Sequence, residues 1–175
     1  PVFEYDVEKA KALLAEAGVS DLKLTGKVRK ASEKLLVAVQ DYWQKAGITL
    51  DVQVEDNAVW NQDWAGGNLQ VTTLGWYALF ADGSQHLDTY FSSKNAAKKS
   101  SFYNNADFDA YLEDARKETD KDKRAEDYKA ADNLLTRTDY ATLPLFWPKN
   151  SFVAKLNQNG YTFNNISSII RTMYE

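Results

Sequence analysis

Cysteine is absent from this 175-residue chain. That absence removes disulfides, thiolate metal sites and cysteine nucleophiles together. Histidine occurs once, as His86, so a zinc site or a Ser-His-Asp triad would have to be assembled around a single residue. His86 is read instead as a surface or helix-packing side chain. The chain has no H-E-x-x-H, G-x-S-x-G, G-x-G-x-x-G or P-loop motif. Asp120-Lys121-Asp122 lacks the third acidic position, the mid-loop glycine and the closing glutamate of a calcium loop, and is read as a solvated helix cap. Nothing in the order of the 25 acidic residues places two across a cleft, as glycoside hydrolysis requires. No apolar run approaches the roughly 18–20 residues of a membrane span. No signal peptide opens the chain, and an export signal is expected either upstream or not at all. With a net charge of −4 and a pI near 5.1, nucleic acid is a poor candidate partner. Neither a metal nor a cofactor is expected, and no enzyme is read here.

What is present is an ordinary globular balance, 44% hydrophobic and 26% charged, with aromatics at 13%, including five Trp and ten Tyr. Asp6 is a good N-cap for a helix to about Ala17. Ala10, Leu13, Leu14 and Ala17 follow the spacing of a buried stripe, and Gly18 ends the helix. Leu22 and Leu24 then alternate as in a short strand. Ser32 is expected to cap a second helix to Ala46, with Leu35, Leu36, Val39, Tyr42, Trp43 and Ala46 inward. Ile48, Leu50, Val52 and Val54 alternate with polar residues, so period two puts all four on one face of a strand. Asn57 is expected to cap a short helix to Ala65, followed by a strand over Leu69–Leu74.

Asp82, Gly83 and Ser84 are turn formers before a helix carrying Leu87, Tyr90 and Phe91. Helices are expected over 107–119, with Phe108, Tyr111, Leu112 and Ala115 inward, and from Asp120 or Asp122 to about Arg137, with Ala125, Tyr128 and Leu135 inward. Leu143–Trp147 and Ser151–Lys155 read as β segments. Alternation of helices and strands in this order predicts an α/β fold, a mixed and partly parallel sheet flanked by helices.

In open α/β sheets ligands sit beyond the carboxyl ends of the strands. Leu74-Gly75-Trp76-Tyr77 occupies such an end. Gly75 lets a backbone approach closely, and Trp76 and Tyr77 supply rigid faces with polar tips. Free backbone groups there suit an extended peptide. The alternative reading, that Trp76 caps the core and Gly75 relieves a clash, is equally open on spacing alone.

Four stretches resemble, in order, the oligopeptide/dipeptide/nickel-binding class of extracellular solute-binding proteins, the receptors of ABC importers. They are EYDVEKAKALLAEAG (4–18), LGWYALFADGSQHLDTYFSS (74–93), FYNNADFDAYLEDARKETDKDKRAEDYKAADNLL (102–135) and LPLFWPKNSFVAK (143–155). The resemblance implies one lobe of a periplasmic-binding-protein-like (type II) clamshell, with 1–163 as the second lobe. Residues 164–175 would be a tail that returns to a missing first lobe. It implies an oligopeptide or other small solute held extended between lobes, and a membrane permease as partner. The location implied is extracellular, as a cell-surface lipoprotein or in the periplasm. The residues it brings to the ligand are Trp60, Trp64, Thr73, Leu74, Gly75, Trp76, Tyr77, Leu79 and Asp82. Two of these depart from the family pattern. Peptide-binding members carry an Asp three residues after Gly-Trp, paired with the ligand's α-ammonium; Leu79 stands there. Thr73 stands where a basic residue sometimes precedes Gly-Trp. Either Asp82 replaces the missing anchor, or the ligand has a blocked or distant amino end. A non-peptide ligand of the same class (an oligosaccharide, for which Trp60, Trp64, Trp76 and Tyr77 would suit stacking, or a metal chelate) and a stand-alone interaction domain are the competing readings.

Overall fold

A computed structural model describes residues 4–75, 82–96, 101–146, 161–162 and 170–171. The chain divides into two compact units, Pro1–Gly75 and Trp76–Glu175.

The first unit contains α1 (Val7–Glu16), β1 (Lys23–Arg29), a 3-10 turn (Lys30–Ser32), α2 (Glu33–Lys45), β2 (Thr49–Glu55) and α3 (Asn57–Gly66). Asp6 caps α1 by accepting from the Lys9 amide at 2.9 Å, and Gly18 leaves it at φ +67°, a conformation only glycine takes without strain. β1 and β2 pair in parallel, from Lys23 opposite Thr49 to Arg29 opposite Glu55. Parallel neighbours need a crossover, which α2 supplies. The core is Val28, Leu36 and Leu50, with Leu24, Val39, Trp43, Val52 and Val71 packed against it. Gly26 has no side chain because α2 lies on the sheet at that point: a Cβ there would sit 2.7 Å from a Leu36 methyl.

Several expectations change here. The strand expected over Leu69–Leu74 contracts to one parallel bridge, Gly26 to Val71: before it the Gln70 side chain takes the Thr25 N–H at 2.8 Å, and after it the Thr72 hydroxyl and Trp60 indole take the Lys27 carbonyl. Ser32 makes no side-chain cap, being already wound into the 3-10 turn, and Asp56 rather than Asn57 holds the N-cap position of α3. The apolar stripe of α1 is not buried: Leu13 is 55% exposed and no α1 residue reaches the core. Along β2 and α2, Leu50 and Leu36 are buried while Val54 and Tyr42 are exposed.

The second unit contains α4 (Ser84–Phe91), α5 (Ser93–Ala96), α6 (Ala106–Lys117) and α7 (Lys121–Asn133), which runs into a π-helical turn over Leu134–Thr138. A short antiparallel pair, β3 (Tyr161–Thr162) and β4 (Ile170–Arg171), follows. Leu87, Phe108, Leu112, Ala131 and Leu135 form its core. Asn105 caps α6 through the amides of Asp107 and Phe108, and Asp120 caps α7 through those of Asp122 and Lys123. Tyr111 and Ala125 were expected inward and are exposed; Leu135, expected inward, is buried in the π-helical turn, and Ala131 of α7 is buried beside it. Residues 143–146 form no strand, and Leu143, Leu145 and Phe146 are exposed. The β segment expected over 151–155 lies outside the described residues, as does the 164–175 tail apart from Ile170 and Arg171.

Candidate functional site

In the first unit the parallel register brings Arg29 and Glu55 to one edge, the carboxyl ends of β1 and β2. The segment after Val71 reaches the same edge. Lys27 holds these parts together. Its N–H donates to the Val71 carbonyl at 2.9 Å. Its own carbonyl accepts from Thr72 Oγ1 at 2.8 Å and from Trp60 Nε1 at 3.2 Å. Its ammonium pairs with Glu55 Oε1 at 3.0 Å and with Asp63 on α3. Donating to the Asp63 and Glu55 carboxylates raises the Lys27 pKa, and the same ammonium lowers that of Asp63.

Trp60 was expected to offer a stacking face to the ligand. It is 1% exposed, and its indole N–H is shared between the Lys27 carbonyl and Thr72. The Trp64 ring lies 5.3 Å away, and the Arg29 guanidinium lies over the Trp60 ring at 4.5 Å. Trp60 is therefore a buried platform under Arg29 and not a wall of its own, and Trp64 is half-buried against it. Thr73 is half-buried, and its hydroxyl oxygen is buried with no hydrogen-bond partner among the described residues. Leu74 is exposed, and a Cβ built on Gly75 would meet nothing within 4 Å. Trp76, Tyr77 and Leu79 lie outside the described residues.

Asp82 lies in the second unit, where its oxygens are fully engaged. Oδ1 accepts from the Ser84 amide at 3.0 Å and the Tyr128 hydroxyl at 2.9 Å; Oδ2 accepts from Arg124 Nε at 3.1 Å and Nη2 at 2.7 Å. Arg124 also donates to the Ala115 carbonyl at the end of α6. Burial pushes the Asp82 carboxyl up, but the Ser84, Arg124 and Tyr128 hydrogen bonds outweigh it and bring the pKa to about 2. Asp82 closes a turn and ties three helices together; it is not an open acceptor for a ligand ammonium.

Arg29, Lys27, Glu55, Asp63 and Arg124 were not singled out from the sequence. Arg29 carried one available signal, its place just before the helix expected from Ser32. The others depend on contacts far apart in the chain. Among the described residues no group of three His, Cys, Asp or Glu could hold a metal ion, and no helix is long and apolar enough to cross a membrane.

A profile of the bacterial extracellular solute-binding proteins, family 5 (middle region), matches residues 1–98. The oligopeptide-binding protein OppA of Bacillus subtilis is 29% identical over 168 residues, which cover 89% of this chain and 30% of OppA. Heme-binding protein A of Haemophilus influenzae is 29% identical over 142 residues, covering 76% of this chain and 26% of that protein. Among solved structures, the periplasmic binding protein DppA of Helicobacter pylori, in complex with the peptide STSA, matches with a TM-score of 0.74 and 28% identity, over 79% of this chain and 28% of its own. The chain thus spans about 30% of the length of the relatives it matches.

Proposed function

The chain belongs to the family 5 bacterial extracellular solute-binding proteins, matched over residues 1–98 of its 175, and from that membership we propose that it is a ligand-contacting lobe of an oligopeptide receptor serving an ABC importer. Its fold is that of the type II periplasmic binding proteins. The observation that carries the proposal is the open edge of the first unit. There the carboxyl ends of two parallel strands and the segment Thr73–Gly75 converge, with Leu74 exposed and, among the described residues, nothing within 4 Å of a Cβ on Gly75. A backbone segment that projects without side-chain cover can hydrogen-bond an extended peptide main chain, which is common to all peptides and so tolerates sequence. Peptide ligands also agree with the names of the OppA and DppA relatives.

In this proposal residues 1–163 form the second lobe, 164–175 returns toward a first lobe, and Trp76, Tyr77 and Leu79 continue the ligand wall from Gly75. The permease of an importer is the partner, binding without catalysis is the activity, and a cell-surface lipoprotein or periplasmic location follows from the family. Affinity in a two-walled site comes from both walls and from excluding water, so this chain alone binds peptide only weakly. Saturation-transfer NMR with millimolar tri-alanine and with maltotriose tests the assignment. Transfer to tri-alanine and none to maltotriose is expected; the reverse pattern favours the oligosaccharide reading and removes the peptide one.

A further inference from the structure

Among the described residues β2 is paired on one side only. Its Thr49 N–H donates to the Leu22 carbonyl at 2.8 Å, and its parallel register with β1 runs without a bulge from Thr49 to Glu55. Backbone groups alternate sides along a strand. Thr49, Asp51, Gln53 and Glu55 therefore turn their N–H and C=O groups toward β1, and Leu50, Val52 and Val54 turn theirs away. Val71 bridges to the far side of β1, so β2 is an edge of the sheet. The Gln40 side-chain amide reaches that edge and donates to the Leu50 carbonyl at 2.5 Å. The N–H and C=O groups of Val52 and Val54 and the N–H of Leu50 have no partner among the described residues.

An edge strand is ordinarily guarded by proline, lysine, a bulge or a charge on its apolar face. β2, with the sequence TLDVQVE, has none of these: its acidic residues lie on the face opposite Leu50, Val52 and Val54. Apolar side chains flank the edge instead. Val54 is exposed near its end. Val37 is exposed on α2, one turn before Gln40 and so on the side of that helix that overhangs the edge.

This edge is complementary to itself. Turned antiparallel about Val52, it sets Val52 opposite the second copy's Val52, Leu50 opposite Val54, Asp51 opposite Gln53 and Thr49 opposite Glu55. Each outward N–H then meets an outward C=O, and the Leu50 carbonyl keeps Gln40 on its second lone pair. Apolar side chains face apolar ones. Asp51 faces the amide of Gln53, a pairing that already forms within one chain at 2.7 Å. No two like charges stand directly opposite. Other registers do worse: centring on Asp51 or Gln53 sets Asp51 against Asp51 or Glu55, and centring on Leu50 or Val54 leaves the far end of the strand unpaired. Leu50 and Val52 lie on the face that α2 covers. The two-fold thus brings both α2 helices to one face of the joined sheet, where Val37 and Val54 lose their exposure together.

We propose that the outer edge of β2 is a homodimer interface, in which two copies of this chain join their sheets antiparallel through residues 50–54 about a two-fold at Val52. The proposal stands apart from the ligand and from the reading of the chain as a receptor lobe. Three ladder residues and their flanking side chains bury less than the roughly 1,200 Å² of a stable interface, so the dimer is a weak one.

Sedimentation equilibrium of the 175-residue chain from about 10 μM to about 2 mM should show monomer and dimer in exchange, with a dissociation constant on the order of 0.1–1 mM. In a mixture of labelled and unlabelled chains, an isotope-filtered NOE should connect the Asp51 Hα of one copy to the Gln53 Hα of the other. That contact is close only where antiparallel residues face each other without exchanging hydrogen bonds. Val54→Lys puts a charge on the joining face and should raise the dissociation constant at least about tenfold. Leu13→Lys, on the exposed face of α1, should leave it within about twofold. A chain that stays monomeric at the highest concentration overturns the proposal. So does growth beyond the dimer, since a two-fold contact closes on itself. A dimer that Leu13→Lys breaks and Val54→Lys does not would use α1 and overturns it as well. Should Val54→Lys unfold, the wild-type NOE decides: a dimer without the Asp51–Gln53 contact is not the one proposed.

Discussion

Replacing Asp82 with Asn should destabilise the second unit at neutral pH and leave it nearly unchanged at pH 2. The Asp82 carboxylate is 19% exposed and the Arg124 side chain 29%, so the pair is shielded but not sealed. The carboxyl falls from 3.8 to about 2 on folding, which corresponds to about 2 kcal/mol of folding free energy, an upper figure once solvent screening is counted. The folded pKa lies below the unfolded one, so this contribution is complete above about pH 5 and is lost as the pH falls through 2. An Asn at 82 can still accept from the Ser84 amide, but its NH₂ meets the Arg124 donors. The expected loss at pH 7 is about 2–3 kcal/mol, in the range of hydrogen bonds to charged groups. Urea titrations followed on the methyl resonances of Leu87, Leu112 and Leu135 report on this unit specifically. The gap between wild type and variant should shrink to under about 1 kcal/mol at pH 2. A gap below about 0.5 kcal/mol at pH 7, or one of constant size from pH 7 to 2, would refute the reasoning.

Three further outcomes follow from the same contacts. Lys27→Met leaves Glu55 and Asp63 facing each other without a cation, so the Asp63 carboxyl, which titrates below its ordinary value beside Lys27, should titrate above it in the variant; carboxyl-carbon NMR reads the direction, and an unchanged midpoint would show the ion pair to be idle. Gly83→Ala would place a Cβ 2.7 Å from the Tyr128 ring and should cost about 1–3 kcal/mol by overpacking, measured by urea denaturation. Leu112→Ala, at a fully packed site, should cost about 2–5 kcal/mol, whereas Leu13→Ser on the exposed face of α1 should cost under about 0.5 kcal/mol; equal costs would mean that α1 is packed after all.

The contrast between those last two leucines shows what the sequence could convey. Caps are local chemistry, and Asp6, Asn105, Asp120 and the left-handed Gly18 act within a few residues. The caps of α1 and α7, the parallel pair β1–β2 and most of the inward stripe of α6 were legible for that reason. Periodicity states that Leu13 lies on an apolar face; it does not state whether this chain carries anything to cover that face. The strand expected at Leu69–Leu74 was lost to competitors on both sides of its single bridge: the Gln70 side chain on the Thr25 amide, 45 residues away, and the Thr72 hydroxyl and Trp60 indole on the Lys27 carbonyl. The site was legible in part. Gly75 and Leu74 were identifiable by the place of glycine after an apolar run. Trp60 was misjudged because an aromatic near a strand end serves equally as a groove wall or as a platform, and only the position of Arg29, 31 residues earlier, decides between them. Asp82 shows the same limit, since its partner Arg124 is 42 residues on.

The most direct measurement of the central claim is where a peptide sits. Tri-alanine carrying a nitroxide on its amino end, added at millimolar concentration to the ¹⁵N-labelled chain, broadens the amides it approaches. Broadening should fall on Arg29, Glu55 and Thr73–Gly75, and should spare the groove of about 530 Å³ lined by Leu14, Val19 and Ala46. Broadening centred on that groove, or none at the carboxyl edge of β1 and β2 at any concentration up to about 50 mM, well past the millimolar range that a single wall should give, would contradict the assignment of this chain as a peptide-contacting lobe.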